Sequence, residues 1–330
     1  MPRLSKPQLL QVVAAAVSSA GWRLLYLGQE HPFRLKVYSA AESYTVRIYI
    51  WNITHGGGAA RPASEYRIQV TGFDQFEPEP GGQTLILGWW SEVGVFAGFD
   101  FSKHQGPLGS SPSLQIREEC LRDAYTDGLS ACRKGNDEVA IAFRPEFLVE
   151  YIRNLTRLHG FGDSEPDLAL LETAARLPDR INDAALQTTT PERRVVVRSV
   201  QQRVRSANFR ARVLTAYDHA CAFCGLQLEL IQAAHILPVT QPQSTDETYN
   251  GIAACFLHHA AYDRGLITFD ETYRVEINDT EIERLAAIER VGELARFRSL
   301  LRPLILLPPE VRDRPQIGIV GLANTLRGWY

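Results

Sequence analysis

Two groups of residues able to handle metal ions and protons interleave within one short stretch of a 330-residue chain. The first is Cys221-Ala-Phe-Cys224, followed 31 residues later by Cys255-Phe-Leu-His258. Zinc takes four nitrogen or sulfur ligands in a tetrahedron, and a C-x2-C knuckle with a C-x2-H pair supplies them from two backbone turns. A segment this short buries little core, so a metal clip is expected to stabilise it. The competing reading is unrelated cysteines in a small core; two intact pairs favour zinc.

The second group is His235, Asn250, His259 and Asp263, spaced by 15, 9 and 4 residues. At i, i+4, His259 and Asp263 share one helix face and can hold one cation together. His235 sits among Gln-Ala-Ala and Ile-Leu, a strand-like context. Asn250-Gly251 is a turn signal, and the Asn side chain can brace the local backbone. Strand, turn and helix in that order place His235 opposite the cation. A histidine can take a proton from water there, while a cation neutralises a phosphate and its leaving oxygen. Any one of these histidines alone is better explained by a local hydrogen bond; four such residues threaded through a zinc quartet are not. His258 and His259 are adjacent; His258 goes to zinc because it completes C-x2-H, and His259 to the cation because Asp263 lies one turn on.

The segment resembles the HNH endonuclease family, the ββα-metal fold, over about 65 of the 330 residues. His235 matches the family's general base, Asn250 its middle asparagine, His259 its third histidine and Asp263 the ligand one helical turn later. Phe209-Arg210, Val213-Leu214, Tyr217 and Tyr262-Asp263-Arg264-Gly265-Leu266-Ile267 resemble bacterial members of restriction type. The resemblance implies a catalytic Mg2+ (or Mn2+) ion, a structural Zn2+ ion and double-stranded DNA as substrate. One departure is Ala234, at the position where many members carry a second metal ligand. The cation would then have two protein ligands, with water and phosphate completing its shell.

The elements that must position these groups follow from pattern. A helix over Ala207–Tyr217 leads into the module, which spans about residues 207–270, and a helix over 280–298 follows it. A proline-rich tail from Leu301 is expected to wrap over a neighbouring element. Seven arginines (Arg193, Arg194, Arg198, Arg203, Arg205, Arg210, Arg212) with no acid between them suit phosphate contact, against the commoner meaning of a solvated helix face. Residues 159–192 read as a linker with one helix over 167–176. Upstream, a helix over 7–20 precedes strand-like runs at 22–27, 34–37, 44–51, 66–71, 83–89, 93–101 and 138–143, with turns at Gly56–Gly58 and Pro78–Gly82 and a closing helix over 145–155. The fold class is therefore α+β: a mixed domain over 1–158, then residues 193–330 carrying the small zinc-stabilised module.

Composition sets the outer bounds. Net charge is -3, which weighs against a protein that binds nucleic acid by bulk charge. No apolar run is long enough to span a bilayer and residues 7–20 do not read as a signal peptide, so the cytoplasm is expected, with no membrane partner. Five cysteines, an odd number, argue against a disulfide framework, and Cys120 and Cys132 read as small apolar residues. In the first domain Arg61-Pro62, Glu65–Gln69, Gly88-Trp89-Trp90 and Val95–Asp100 have a distinctive texture, although Trp89, Phe96 and Phe99 are better read as core. The stretch resembles N-terminal domains found beside bacterial methylases and restriction nucleases, which implies target selection. Cutting two strands needs two active sites, hence a homodimer. The competing classes are a non-catalytic zinc module that binds DNA, and a nuclease gated by a small-molecule or protein sensor domain.

Overall fold

A computed structural model of the chain describes residues 3–56, 62, 64–134 and 138–329. Gly57, Gly58 and Arg61, parts of the expected glycine turn and of the Arg-Pro texture, lie outside the described residues. The chain divides into two compact units, Met1–Val204 and Arg205–Tyr330.

The first unit opens with α1 (Lys6–Ser19), which buries Leu9, Leu10, Val13, Ala16 and Val17, the i, i+4, i+7 stripe of its sequence. Strands β1 (Arg23–Gly28), β2 (Phe33–Tyr38) and β3 (Ser43–Asn52) follow as a meander. The short β4 (Thr54–His55) and β5 (Glu65–Gln69) leave this sheet, and β6 (Gln83–Trp90) returns parallel to β3. After β7 (Val95–Phe99), strand β8 (Ser113–Arg117) joins β4 and β5 in a three-stranded sheet. Helix α2 (Glu118–Asp127), β9 (Leu129–Arg133) and β10 (Val139–Phe143) complete a seven-stranded sheet of order β1-β2-β3-β6-β7-β10-β9. Alternation divides β3: Tyr49 and Trp51 join a core with Ile68, Ile86, Leu114 and Leu121, while Ile48 and Ile50 are buried on the opposite face.

Two expectations change here. Cys120 on α2 and Cys132 on β9 are joined in a disulfide, with Cα atoms 6.0 Å apart, rather than serving as independent apolar residues. The packing of α2 against β9 brings together two cysteines that are 12 residues apart in sequence. The stretch read as a linker is also packed structure. Helices α3 (Leu148–Arg153) and α4 (Leu155–His159) lead to α5 (Glu165–Arg176) and α6 (Asp183–Leu186), with Phe161, Leu168, Leu171, Ala174 and Leu186 buried within the first unit. Polar loop residues there hid an apolar stripe that needs β9 as its partner.

Helix α7 (Pro191–Ala216) takes in both the arginine run and the helix expected from Ala207, as one element of 26 residues. In the second unit, β11 (Ile231–His235) pairs antiparallel with β12 (Gly251–Cys255), setting His235 opposite Gly251. Helix α8 (Phe256–Asp263) follows directly, then the hairpin of β13 (Ile267–Phe269) and β14 (Val275–Ile277). The helix expected over 280–298 is two: α9 (Asp279–Ala287) and α10 (Leu294–Leu300), separated by Gly292 and by Glu289 and Glu293 in the left-handed region at φ 56° and 59°. Neither helix fully buries a residue; α10 instead lays the half-buried Phe297 against the module core, its ring centroid 5.8 Å from that of His258. The proline-rich tail folds back on its own unit: Arg302 and Leu306 donate backbone N–H groups to Phe223 and Ala222, each at 2.8 Å, and α11 (Ile317–Leu326) buries Val320 and Ala323 in the module core. Among the described residues no helix is long and apolar enough to cross a membrane.

Candidate functional site

The knuckle forms because Gly225, at φ +81°, turns the chain where a side chain would be strained, and its N–H reaches Cys221 O at 2.7 Å. Ala222 N–H donates to Ala253 O at 2.7 Å, tying the knuckle to β12. Cys255 ends that strand and caps α8, so His258 lies one turn inside the helix. The ligand atoms of Cys221, Cys224, Cys255 and His258 all lie within 4.8 Å of one another. His258 Nδ1 is 3.5 Å from Cys221 Sγ and 3.3 Å from Cys255 Sγ. A tetrahedral ion with ordinary Zn–S and Zn–N bonds separates its ligands by roughly 3.5 Å, so the donor set fits. Burial pushes the Cys221 thiol up to about 12, raises Cys224 and lowers His258. A neutral imidazole is the ligand form, and a bound cation is what converts such thiols to thiolates.

The second centre is built on β11 and α8. His259 Nε2 faces Asp263 Oδ2 at 3.3 Å, one helical turn apart. His259 Nδ1 lies 2.6 Å from Gln232 Oε1 on β11. The amide oxygen can only accept, so the proton sits on Nδ1 and the Nε2 lone pair faces the carboxylate. Two donors on an octahedral shell with bonds near 2.1 Å stand roughly 3 Å apart, so an imidazole and a carboxylate in this arrangement fit a divalent ion whose other positions are water and phosphate. Ala234, the departure noted in the sequence, is buried in the module core.

His235 ends β11 with its ring stacked on Phe209 of α7, centroids 3.8 Å apart and planes at 9°. Its Nε2 is 3.0 Å from Asp246 Oδ1. The carboxylate accepts, which puts the proton on Nε2 and leaves the Nδ1 lone pair as the basic atom. Asn250 is fully buried and meets four groups of the loop after His235. It accepts from Leu237 N–H at 2.9 Å and donates towards Leu237 O (3.3 Å), Ser244 Oγ (3.2 Å) and Thr245 O (2.8 Å). Its place is therefore the backbone that carries the histidine. Gly251 is extended, at φ -119° and ψ 146°, and is not the turn residue that Asn-Gly suggests. It is needed for close approach: a Cβ there would collide with Val213 Cγ2 and come within 3.0 Å of Phe209. Arg327 of the tail closes the arrangement, donating to Ile236 O at 2.8 Å and to Tyr262 OH at 3.3 Å.

Most of the seven arginines are engaged by neighbouring groups. Arg193 pairs with Asp163 and Asp167, Arg194 donates to Leu186 O and Thr189 O, Arg198 pairs with Asp183 at 2.8 Å, and Arg203 donates to Glu146 O. Arg205 also has a partner. Arg210 lines an open cavity with Asp218 and Glu229, and Arg212 donates to Asp246 O at 2.5 Å. Gln232, Asp246 and Arg327 escape sequence reading because each is an ordinary residue that acts only through a fold contact, and Phe209 enters it only within the family resemblance, without its place on the His235 ring.

Residues 221–270 match a family model described as HNH endonuclease, and these are the residues that carry both centres apart from Phe209 and Arg327. Residues 221–270 belong to the HNH endonuclease family. The chain is thus a hydrolase of DNA phosphodiester bonds, and its HNH domain is extended by α7 and by the returning tail. Residues 44–152 match a model described as Methylase-associated X1, which covers the first unit from β3 to α3. No curated protein matches the chain. A solved structure described as the modification dependent TagI restriction endonuclease aligns with 85% of this chain and 80% of its own, at 11% identity and a TM-score of 0.31. That likeness is too weak to bear on the fold or function of this chain.

Proposed function

We propose that the protein is a metal-dependent endonuclease of a restriction system, with a zinc-stabilised HNH centre that cuts double-stranded DNA and a first unit that selects the target. The observation that carries the catalytic reading is a pair of contacts from outside the two rings: Asp246 on His235 Nε2 assigns the lone pair to Nδ1, and Gln232 on His259 Nδ1 assigns it to Nε2. His235 Nδ1 takes a proton from the water that attacks phosphorus. His259 and Asp263 hold a divalent ion, Mg2+ or Mn2+, which when bound would neutralise the phosphate and the leaving oxygen. Asn250 keeps the loop behind His235 in place. Cys221, Cys224, Cys255 and His258 hold Zn2+ away from the chemistry. The arrangement of a methylase-associated domain before an HNH domain supports target choice by base modification or sequence. A homodimer supplies the two centres that two strands require.

Cleavage of methylated and unmethylated plasmids by the full chain, with Mg2+ and with EDTA, tests the whole reading. Cutting that needs Mg2+ and differs between the two plasmids is expected; equal cutting of both removes modification as the basis of selection. His235→Ala should lower the cleavage rate about 10²–10⁴-fold with DNA binding unchanged. Near wild-type cutting by that variant would sink the assignment of the base.

A further inference from the structure

The assignment of His235 as base leaves open what fixes its tautomer and tilt during turnover. Phe209 covers one face of the ring, and Asp246 Oδ1 takes its Nε2 proton at 3.0 Å. The loop that carries Asp246 is itself pinned at three successive carbonyls. Thr245 O accepts from Asn250 Nδ2 at 2.8 Å, Asp246 O from Arg212 Nη2 at 2.5 Å, and Glu247 O from Asn250 N at 3.0 Å. Phe209 and Arg212 stand at i, i+3 on α7, so one helix face supplies both the stacking ring and the clamp. Arg327 is also close to this part of the chain, and its bond goes to the backbone oxygen of Ile236.

The side chains of His235 and Asp246 are 21% and 39% exposed. A hydrogen bond to a carboxylate this open to solvent adds little to stability, so folding gives a weak reason for such a constrained carboxylate. Orientation of an imidazole by a carboxylate on its far nitrogen gives a strong one. We propose that Asp246 is the positioning residue of the general base, and that Arg212 serves Asp246 rather than the DNA backbone. This rests on the reading of His235 as base. In place, Asp246 keeps the proton on Nε2, so that Nδ1 is always the lone-pair atom presented to water. When Nδ1 takes its proton, the carboxylate faces the resulting imidazolium.

The test is a double-mutant cycle on the full-length protein, with kcat, KM for plasmid DNA and zinc content measured for each variant. Asp246→Asn should lower kcat about 10–100-fold, the usual cost of losing such a partner, and leave KM and zinc content unchanged. In the slow His235→Ala background, Asp246→Asn should cost nothing more, because a residue that acts through the base has nothing left to position. A full additional loss in that background makes Asp246 merely structural and overturns the proposal, as does wild-type kcat for Asp246→Asn alone. Rapid cleavage by His235→Ala would instead refute the base assignment, so the two failures are distinct. Arg212→Gln should lower kcat with unchanged salt dependence of DNA binding. Weaker binding with a salt slope reduced by about 1 would show a phosphate contact and overturn the role given to Arg212.

Discussion

Cys255 stands where two chemistries meet: its sulfur faces His258, and the helix it caps carries His259 one residue further on. Adjacent residues on a helix point about 100° apart, so a single turn of α8 sends one imidazole into the buried quartet and the other towards β11. The same economy makes the quartet fragile. A thiol removed from a buried cluster leaves three donors and weakens the closure between knuckle and helix. Cys255→Ser should reduce metal content from about one zinc per chain to near zero and unfold the second unit, while His259→Ala should keep the zinc and lose cleavage. Metal analysis with far-ultraviolet circular dichroism separates the two variants. A folded, zinc-free, active Cys255→Ser protein would contradict a structural role for the ion.

At the scale of elements, the HNH domain depends on how closely α7 approaches β12. Phe209 and Val213 pack against Gly251, and Phe209 is the ring on which His235 lies. A methyl group at 251 must push the helix away from the strand. Overpacking of this kind typically costs about 1–3 kcal/mol. Gly251→Ala should therefore lower the thermal midpoint of the second unit and also slow cleavage, because the displaced helix carries Phe209 and Arg212 with it. Gly265→Ala is the control. Gly265 has no atom within 4 Å of its would-be Cβ, though its φ of +67° adds strain, so that variant should lose stability with kcat preserved. Equal losses of kcat in both variants would remove the special role of the α7–β12 contact.

For the whole molecule, the first unit carries an acid liability. His31 Nε2 accepts from Ile50 N–H at 2.9 Å and lies 3.1 Å from Lys6 Nζ. Burial, with the Lys6 charge beside it, pushes His31 down to about 3, and burial also lowers His159. The unfolded chain takes up these protons near pH 6.5, where the folded chain still refuses them. The contribution of His31 is therefore full above about pH 6.5 and falls as pH drops towards 3, at up to about 1.4 kcal/mol per pH unit, and His159 adds a loss of the same sign. His31→Gln keeps an acceptor for Ile50 N–H and cannot titrate, so its thermal midpoint should fall less steeply over that window. Tryptophan fluorescence follows this unit, since Trp22, Trp51, Trp89 and Trp90 are four of the five tryptophans in the chain. Parallel midpoint-against-pH curves for wild type and variant would show that His31 is not the group responsible.

What the sequence determined by itself is whatever short-range geometry dictates. C-x2-C turns a knuckle, C-x2-H puts a sulfur and an imidazole one turn apart, and i, i+4 puts His259 beside Asp263, whatever the rest of the chain does. The strand texture of β2, β3, β6 and β10 was likewise readable, because the alternation of β2 and the β-branched or aromatic runs of β3, β6 and β10 need no knowledge of the partner strand. Tertiary structure decided the rest. The contacts that set the tautomers of His235 and His259 span 11 and 27 residues, and the bond from Arg327 that closes the site spans 91. No periodicity marks an Asp, Gln or Arg for such a contact. The disulfide between Cys120 and Cys132 depended on α2 packing against β9, and the packed helices over 159–192 on a sheet face that sequence alone does not display. The arginine run shows the reason in reverse. Its charge is written in the sequence, but the guanidiniums of Arg193, Arg194, Arg198, Arg203 and Arg212 go to whichever carboxylate or carbonyl the fold brings within hydrogen-bond reach.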